Sequence, residues 1–325
     1  MKAPAFWGVA AKGKGRFLSV LLLPLSYLYR GAGLLREKFT SPYKLGIPVV
    51  CVGNLTVGGT GKTPVALAFG KYLLSCDIKL HYLSRGYGGH MLGPIKVDCN
   101  AHTAKDVGDE PLLLATVAPT WVSKDRVVGA KAAVAAGAKL IIMDDGFQNP
   151  SLQKDLSFIV VDAGVGFGNG AVLPAGPLRE TVGKGLSRAD AAILIGDGEM
   201  PVELEGIATY RARLKPIDVS QFGQGNYLAF AGIGRPEKFF NTLQRSGIKM
   251  VGNHSFADHY TYTNGDLKKL HAEAKKHSAK LITTEKDFAR LTPDQRKDVA
   301  AFPVVLYWDE NNSPYDLLMK ALSDG

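Results

Sequence analysis

The chain has three cysteines in 325 residues, Cys51, Cys76 and Cys99, and they fall singly. Such spacing excludes a disulfide framework or a thiolate metal cluster and suits a reducing cytoplasm. There is no repeat of solenoid period and no low-complexity tract. Acids are missing from the start: Lys2, Lys12, Lys14 and Arg16 all precede the first, Glu37. The apolar run Phe17 to Tyr29 falls short of the roughly 20 residues that span a bilayer. It follows basic residues as a signal peptide would, but no small-x-small cleavage site comes before Arg30. Basic flanks, terminal aromatics and Arg30, Arg36 and Lys38 behind the run fit an interfacial helix, with a buried packing helix as the alternative.

What is present is a folded globular composition, 46% apolar and 21% charged, long enough for two domains. A net charge of +9 raises nucleic acid, anionic membrane and phosphorylated substrates as partners.

Residues 47 to 75 carry the most information. Ile47-Pro48-Val49-Val50-Cys51-Val52 reads as a buried parallel strand. Thr56-Val57-Gly58-Gly59-Thr60-Gly61-Lys62-Thr63 follows, with Pro64 at a position that tolerates it in a first helical turn. Glycines let backbone N–H groups close around phosphate oxygens at a helix N-terminus. Lys62 is expected to reach the β- and γ-phosphates and the Thr63 hydroxyl to ligate Mg²⁺. Thr56 stands where the strict pattern has its first Gly. A second strand, Leu140-Ile141-Ile142-Met143, ends in Asp144-Asp145, as a Walker B strand does. Ligands of open α/β sheets sit beyond the strands' carboxyl ends, so both acids should fall near Thr63 and a magnesium ion. The two motifs in this order indicate a Mg-nucleotide protein.

Alternating strands and helices predict a P-loop-type, doubly wound, mostly parallel α/β sheet with a second, smaller α/β domain. Three parts are expected: an N-terminal membrane-associating segment (1–38), a nucleotide-binding kinase domain (39–218) and a smaller domain closing a substrate cleft (219–325). Strands at Tyr227 to Gly232, Ile248 to Val251, Lys280 to Thr283 and Val304 to Trp308 are assigned to the last. The segment 164–188 is too long for a plain connection and is expected to carry function.

Taken together, Gly53 to Pro64, Ser84-Arg85-Gly86-Tyr87-Gly88, Gly108-Asp109-Glu110, Asp144-Asp145-Gly146-Phe147-Gln148, Gly176-Pro177-Leu178-Arg179-Glu180, Asp258-His259 and Thr284-Glu285-Lys286-Asp287 resemble the tetraacyldisaccharide 4′-kinases of lipid A synthesis. Two departures are Asn149, where that family commonly has His, and Ala257, where it often has Pro. The resemblance implies ATP-dependent phosphorylation of the 4′-hydroxyl of an acylated glucosamine disaccharide 1-phosphate at the cytoplasmic face of the inner membrane. It also implies an anionic membrane surface, and no nucleic acid, as partner. Asp109 is then the base and His259 its partner, although spacing alone reads Asp109 as a helix cap and His259 as a surface histidine. Arg85, Arg126 and Arg179 are candidates to face the transferred phosphoryl group. Glu180 could be an outer metal ligand or hold Arg179. A regulatory membrane ATPase is the main rival, but its signature Lys before the loop glycines is Val57 here. A GTPase would need a base-reading Asn/Thr-Lys-x-Asp order that residues 284–287 do not have.

Overall fold

The computed structural model describes residues 4–8, 14–309 and 312–323. Lys2 and Lys12 of the expected basic flank lie outside the described residues, as do the side chains of Lys14 and Arg16.

Eight strands build most of a large sheet: β1 (Val49–Gly53), β2 (Leu80–Ser84), β3 (Ile95–Lys96), β4 (Thr120–Val122), β5 (Leu140–Asp144), β6 (Leu156–Asp162), β7 (Ala191–Ile195) and β8 (Thr209–Pro216). Four more, β9 (Asn226–Ala231), β10 (Lys249–Ser255), β11 (Ala279–Thr284) and β12 (Val299–Phe302), form a second, all-parallel sheet in the order β10-β9-β11-β12. The last strand, β13 (Val304–Trp308), was expected in that second sheet. Instead it returns to the first and pairs antiparallel with β8. The large sheet therefore runs β13-β8-β7-β6-β1-β5-β2-β4-β3, parallel except at its two edges. The β13 segment is too apolar and too short for its periodicity to name its neighbours; its place is set by the helix that follows it.

Strand β1 lies between β5 and β6, and every residue in it is buried. Val49 and Cys51 face a core that includes the helix Arg126–Ala135, while Val50 and Val52 face Val65 and Phe69 of the helix Lys62–Ser75. A strand covered on both faces has no use for polar alternation, which is why it reads as a continuous apolar run. In the second sheet Phe239, Phe240 and Leu243 of Pro236–Arg245 cover one face. Leu267, Leu270 and Ala274 of Asn264–Lys276 cover the other.

The N-terminal helix is longer than the apolar run that suggested it, Lys14–Lys38, and residues 17–38 have the length and composition to cross a membrane. That differs from the reading of the run as too short, because the helix continues through Arg30, Gly31 and Gly33. One seam of it is docked. The Ser26 hydroxyl, buried, donates to Val172 O at 2.8 Å and accepts from Ala175 N, and the Ser19 hydroxyl donates to Ala175 O at 2.7 Å. Most of its described side chains from Phe17 on face outward: Phe17 is 68% exposed and Leu28 70%.

The C-terminal helix Tyr315–Ser323 packs on the Lys62–Ser75 helix, with Tyr315 stacked on Tyr72 and Leu318 fully buried. Leu318→Ala should cost about 2–5 kcal/mol through lost burial and the cavity left behind. Urea unfolding checks this, and a midpoint unchanged from the parent would mean the C-terminal return does not support the large sheet.

Candidate active site

At the carboxyl end of β1 the chain meets the segment 171–180, and their pairing explains the departure at Thr56. Thr56 forms an antiparallel bridge with Leu178; Val57 N donates to Pro177 O, and Arg179 N donates to Leu55 O at 2.7 Å. Residue 56 is therefore extended, where any side chain fits and glycine has no advantage. Gly61 differs: it caps the helix at φ +96°, and a Cβ there would lie 2.5 Å from Ile195 Cδ1. At Gly58 and Gly59 the Cβ direction is open space.

Beside the loop, β5 delivers the acid pair. Thr63 Oγ1 donates to Asp144 Oδ2 at 3.0 Å, while Asp144 Oδ1 is buried without a hydrogen-bond partner. Asp145, at φ +56°, lies 3.7 Å from Lys62 Nζ and accepts both Arg179 amino groups, at 2.8 and 3.3 Å. Burial pushes the Asp144 carboxyl up to about 6 against the pull of Lys62. Burial also acts upward on Asp145, but Lys62 and Arg179 outweigh it and hold that carboxyl low. Glu180 accepts from Gln148 Nε2 at 3.1 Å and pairs with Arg188. Of the expected metal ligands, Thr63 and Asp144 thus stand together with a free oxygen, whereas Asp145 and Glu180 are engaged by cations. A hard divalent cation fits the first two, since it takes oxygen ligands and would satisfy the orphaned one.

Asn149, the first departure, is structural. Its Oδ1 accepts from Ser151 N, Ser151 Oγ and Leu152 N, an Asx turn that holds the loop after β5. Arg126 is buried, with Nη1 on Ser123 O at 2.6 Å and Nε unpartnered. Burial, with help from Arg85, pushes it down to about 10. Arg85 itself is exposed.

A second cluster joins the two sheets. Asp109 is the first residue of the helix Asp109–Ala115, whose N-cap is Gly108 without a side-chain cap, so Asp109 is not the cap that spacing suggested; its Oδ1 accepts from Glu110 N at 3.0 Å. Its Oδ2 lies 3.2 Å from His259 Nδ1 and accepts from Arg290 Nε at 2.6 Å. Lys286 Nζ sits 2.5 Å from Glu110 Oε1 and 3.4 Å from His259 Nε2, and its charge reaches Asp144. Of residues 284–287, Lys286 thus reaches the junction directly. Asp109, Glu110 and His259 could offer three ligand atoms to a metal. Lys286 and Arg290 already supply the positive charge there. Burial alone would raise the Asp109 carboxyl; hydrogen bonds to Glu110 and His259 and the charges of Lys286 and Arg290 hold it well below the usual carboxylate range. Sequence reasoning missed Arg290, whose only signal is that a helical turn puts it on the face of Lys286 and Asp287.

A phosphate-binding loop, an acid pair beside its Thr and a buried carboxylate–histidine pair across the cleft define a P-loop phosphotransferase. A family profile described as LpxK, tetraacyldisaccharide-1-P 4′-kinase, matches residues 18–323. The tetraacyldisaccharide 4′-kinase of Parvibaculum lavamentivorans is 50% identical over 298 residues, covering 90% of this chain and 87% of that one. That of Rhodospirillum rubrum is 50% identical over 320 residues, covering 95% of each. A crystal structure of the "apo" form of LpxK from Aquifex aeolicus in complex with ATP superposes with a TM-score of 0.77. Its identity is 28%, over 94% of this chain and 99% of that one. The chain belongs to the tetraacyldisaccharide 4′-kinase family of lipid kinases, which acts in lipid A biosynthesis.

An acid whose folded pKa lies above its ordinary 3.8 contributes stability while protonated and loses it as pH rises through the folded value, here about 6. Asp144→Asn mimics the neutral form. Without divalent metal it should be more stable than the parent at pH 8 by roughly 1–3 kcal/mol, a gain that shrinks between about pH 6 and 4. Phosphoryl transfer should be lost at the same time. A variant less stable than the parent at pH 8 would remove the burial cost from the picture.

Proposed function

We propose that this chain transfers the γ-phosphoryl group of ATP to the 4′-hydroxyl of a tetraacylated glucosamine disaccharide 1-phosphate. The observation that carries the reading is the meeting of Lys62, Thr63, Asp144, Asp145 and Arg179 at the loop, with the Asp109–His259 pair facing across the junction.

Residues 56–63 cradle the nucleotide phosphates, and Lys62 neutralises the β- and γ-oxygens. Thr63 and Asp144 would hold a magnesium ion accompanying the nucleotide, which would supply charge neutralisation on the phosphate oxygens; Asp145 and Glu180, engaged by Arg179 and Arg188, would support them. Arg179 is steered by Asp145 and Gln148 toward the transferred group. The acceptor hydroxyl loses its proton to Asp109 and His259 acting as a unit. Asp109, 3% exposed and with both oxygens engaged, is a weak base by itself. His259, with its side chain 28% exposed and Nδ1 3.2 Å from Asp109 Oδ2, adds the access.

The acceptor enters beside the N-terminal helix. A cavity of about 300 Å³ lies between that helix, through Arg30, Arg36 and Glu37, and the site residues Gln148, Arg179 and Glu180. Docking of the helix through Ser19 and Ser26 leaves an apolar face free, which supports seating it in one leaflet at headgroup level on the cytoplasmic side. The chain then works as a kinase unit and a smaller unit, residues 226–302, that closes on the cleft.

Two outcomes follow. With radiolabelled ATP and the acylated disaccharide 1-phosphate, label should move to the lipid, and Lys62→Ala should reduce transfer by at least about a hundredfold as its charge at the phosphates disappears. Near-parental transfer by a folded Lys62→Ala protein would sink the assignment. Replacing Leu21, Leu25 and Leu28, all exposed, with serine should move the protein into the soluble fraction. Activity on bilayer-embedded acceptor should fall more than on detergent-dispersed acceptor. Unchanged sedimentation with membranes would locate the attachment elsewhere.

A further inference from the structure

Arg290 ties the Asp109 carboxylate to the second sheet by a hydrogen bond and an ion pair to one oxygen, and it has no part in the roles above. It ends the short helix Glu285–Arg290 after β11, and its side chain is 4% exposed. Nε donates to Asp109 Oδ2 at 2.6 Å, and Nη2 pairs with the same carboxylate. Nη1 points the other way, to Gly232 O at 2.6 Å and Asp287 Oδ1 at 2.7 Å. Asp287 is fully buried and rigidly held: its carboxylate also accepts from Gly232 N, Tyr262 OH and Thr284 Oγ1. The guanidinium is therefore oriented from behind by the second sheet before it meets the first.

We propose that Arg290 is a positioning residue of the phosphoryl transfer: oriented by Asp287, it fixes Asp109 across the junction, ionised and with Oδ2 toward His259 Nδ1. A carboxylate held there keeps the Nδ1 proton between them, so the imidazole keeps Nε2 as its proton acceptor. The Arg290–Asp109 contact forms only when the two sheets are together, which couples closure of the cleft to readiness of the base. Planar two-point geometry matters as well as charge, because one amino edge serves Asp109 while the other serves Gly232 and Asp287.

The groups facing Asp109 come from three elements. Glu110 lies on its own helix, Asp258 and His259 on the loop after β10, and Lys286 and Arg290 on the Glu285–Arg290 helix, with Asp287 behind. With Arg290 removed, His259 and Lys286 remain, but burial of Asp109 is less fully opposed. Its proton affinity rises, and transfer falls as pH drops through the new value.

This rests on the Asp109–His259 assignment, so Asp109→Asn is measured beside the Arg290 variants. Arg290→Met should lower kcat by about a hundredfold, in the range of general-base losses, with little change in KM for ATP. The acid limb of its pH–kcat profile should move up by at least about one pH unit, a tenfold rise in proton affinity. Arg290→Lys keeps the charge and loses the planar group that serves Asp109 and Asp287 at once: it should restore the position of the acid limb but not the full kcat, and it also serves if the Met variant does not fold. An Arg290→Lys protein with parental kcat, or an Arg290→Met protein whose acid limb stays in place, overturns the inference while leaving the dyad standing. Parental kcat in Asp109→Asn overturns the dyad itself.

Discussion

The bridge between Thr56 and Leu178 is the contact on which the nucleotide end of the molecule depends. Through it the segment 171–180 becomes an extra edge on the phosphate loop. The same segment receives the N-terminal helix at Val172 and Ala175, and four residues later it sends Arg179 to Asp145. One short stretch of backbone therefore sets the distance between an apolar helix, a phosphate cradle and a pair of acids. Backbone pairing suits that purpose better than side-chain contact, because hydrogen bonds along an extended chain fix both spacing and direction.

Charge at the site is arranged in two balanced groups. At the loop, Lys62 and Arg179 face Asp145, while Asp144 is left with only Thr63 and a raised proton affinity. At the junction, Lys286 and Arg290 from the second sheet face Glu110 and Asp109 from the first. Buried ion pairs of this kind seldom add much stability, since desolvation offsets the attraction. Their value here is in specifying one docked arrangement of the two sheets, and in leaving Asp144 Oδ1 buried and open, where a divalent cation would fit.

Much of this was legible in the chain. The strands β1 and β5 fall on the apolar runs that suggested them, and the glycine loop and acid pair lie side by side because these strands are neighbours. The long glycine-rich segment was marked by its length, though not by what it pairs with. Two elements escaped. Val304–Trp308 joined the other sheet, because an apolar pentapeptide is equally at home on either edge and only the seat for Leu318 and Tyr315 decides. Arg290 gave no sign of itself, since an arginine in a short polar helix is ordinarily solvated.

Sequence by itself determined the local matters: which segments are buried on both faces, where glycine must provide a left-handed helix cap, and which polar groups cluster in motifs. These depend on neighbours within a few residues, where periodicity and backbone freedom act. Tertiary structure alone decided that Thr56 needs no glycine, that Asp144 keeps an unpartnered oxygen and that Asp109 is gripped by Arg290. Each is a contact across long stretches of chain. Its energy comes from which groups burial leaves without water, and no stretch of sequence carries that information before the chain has folded.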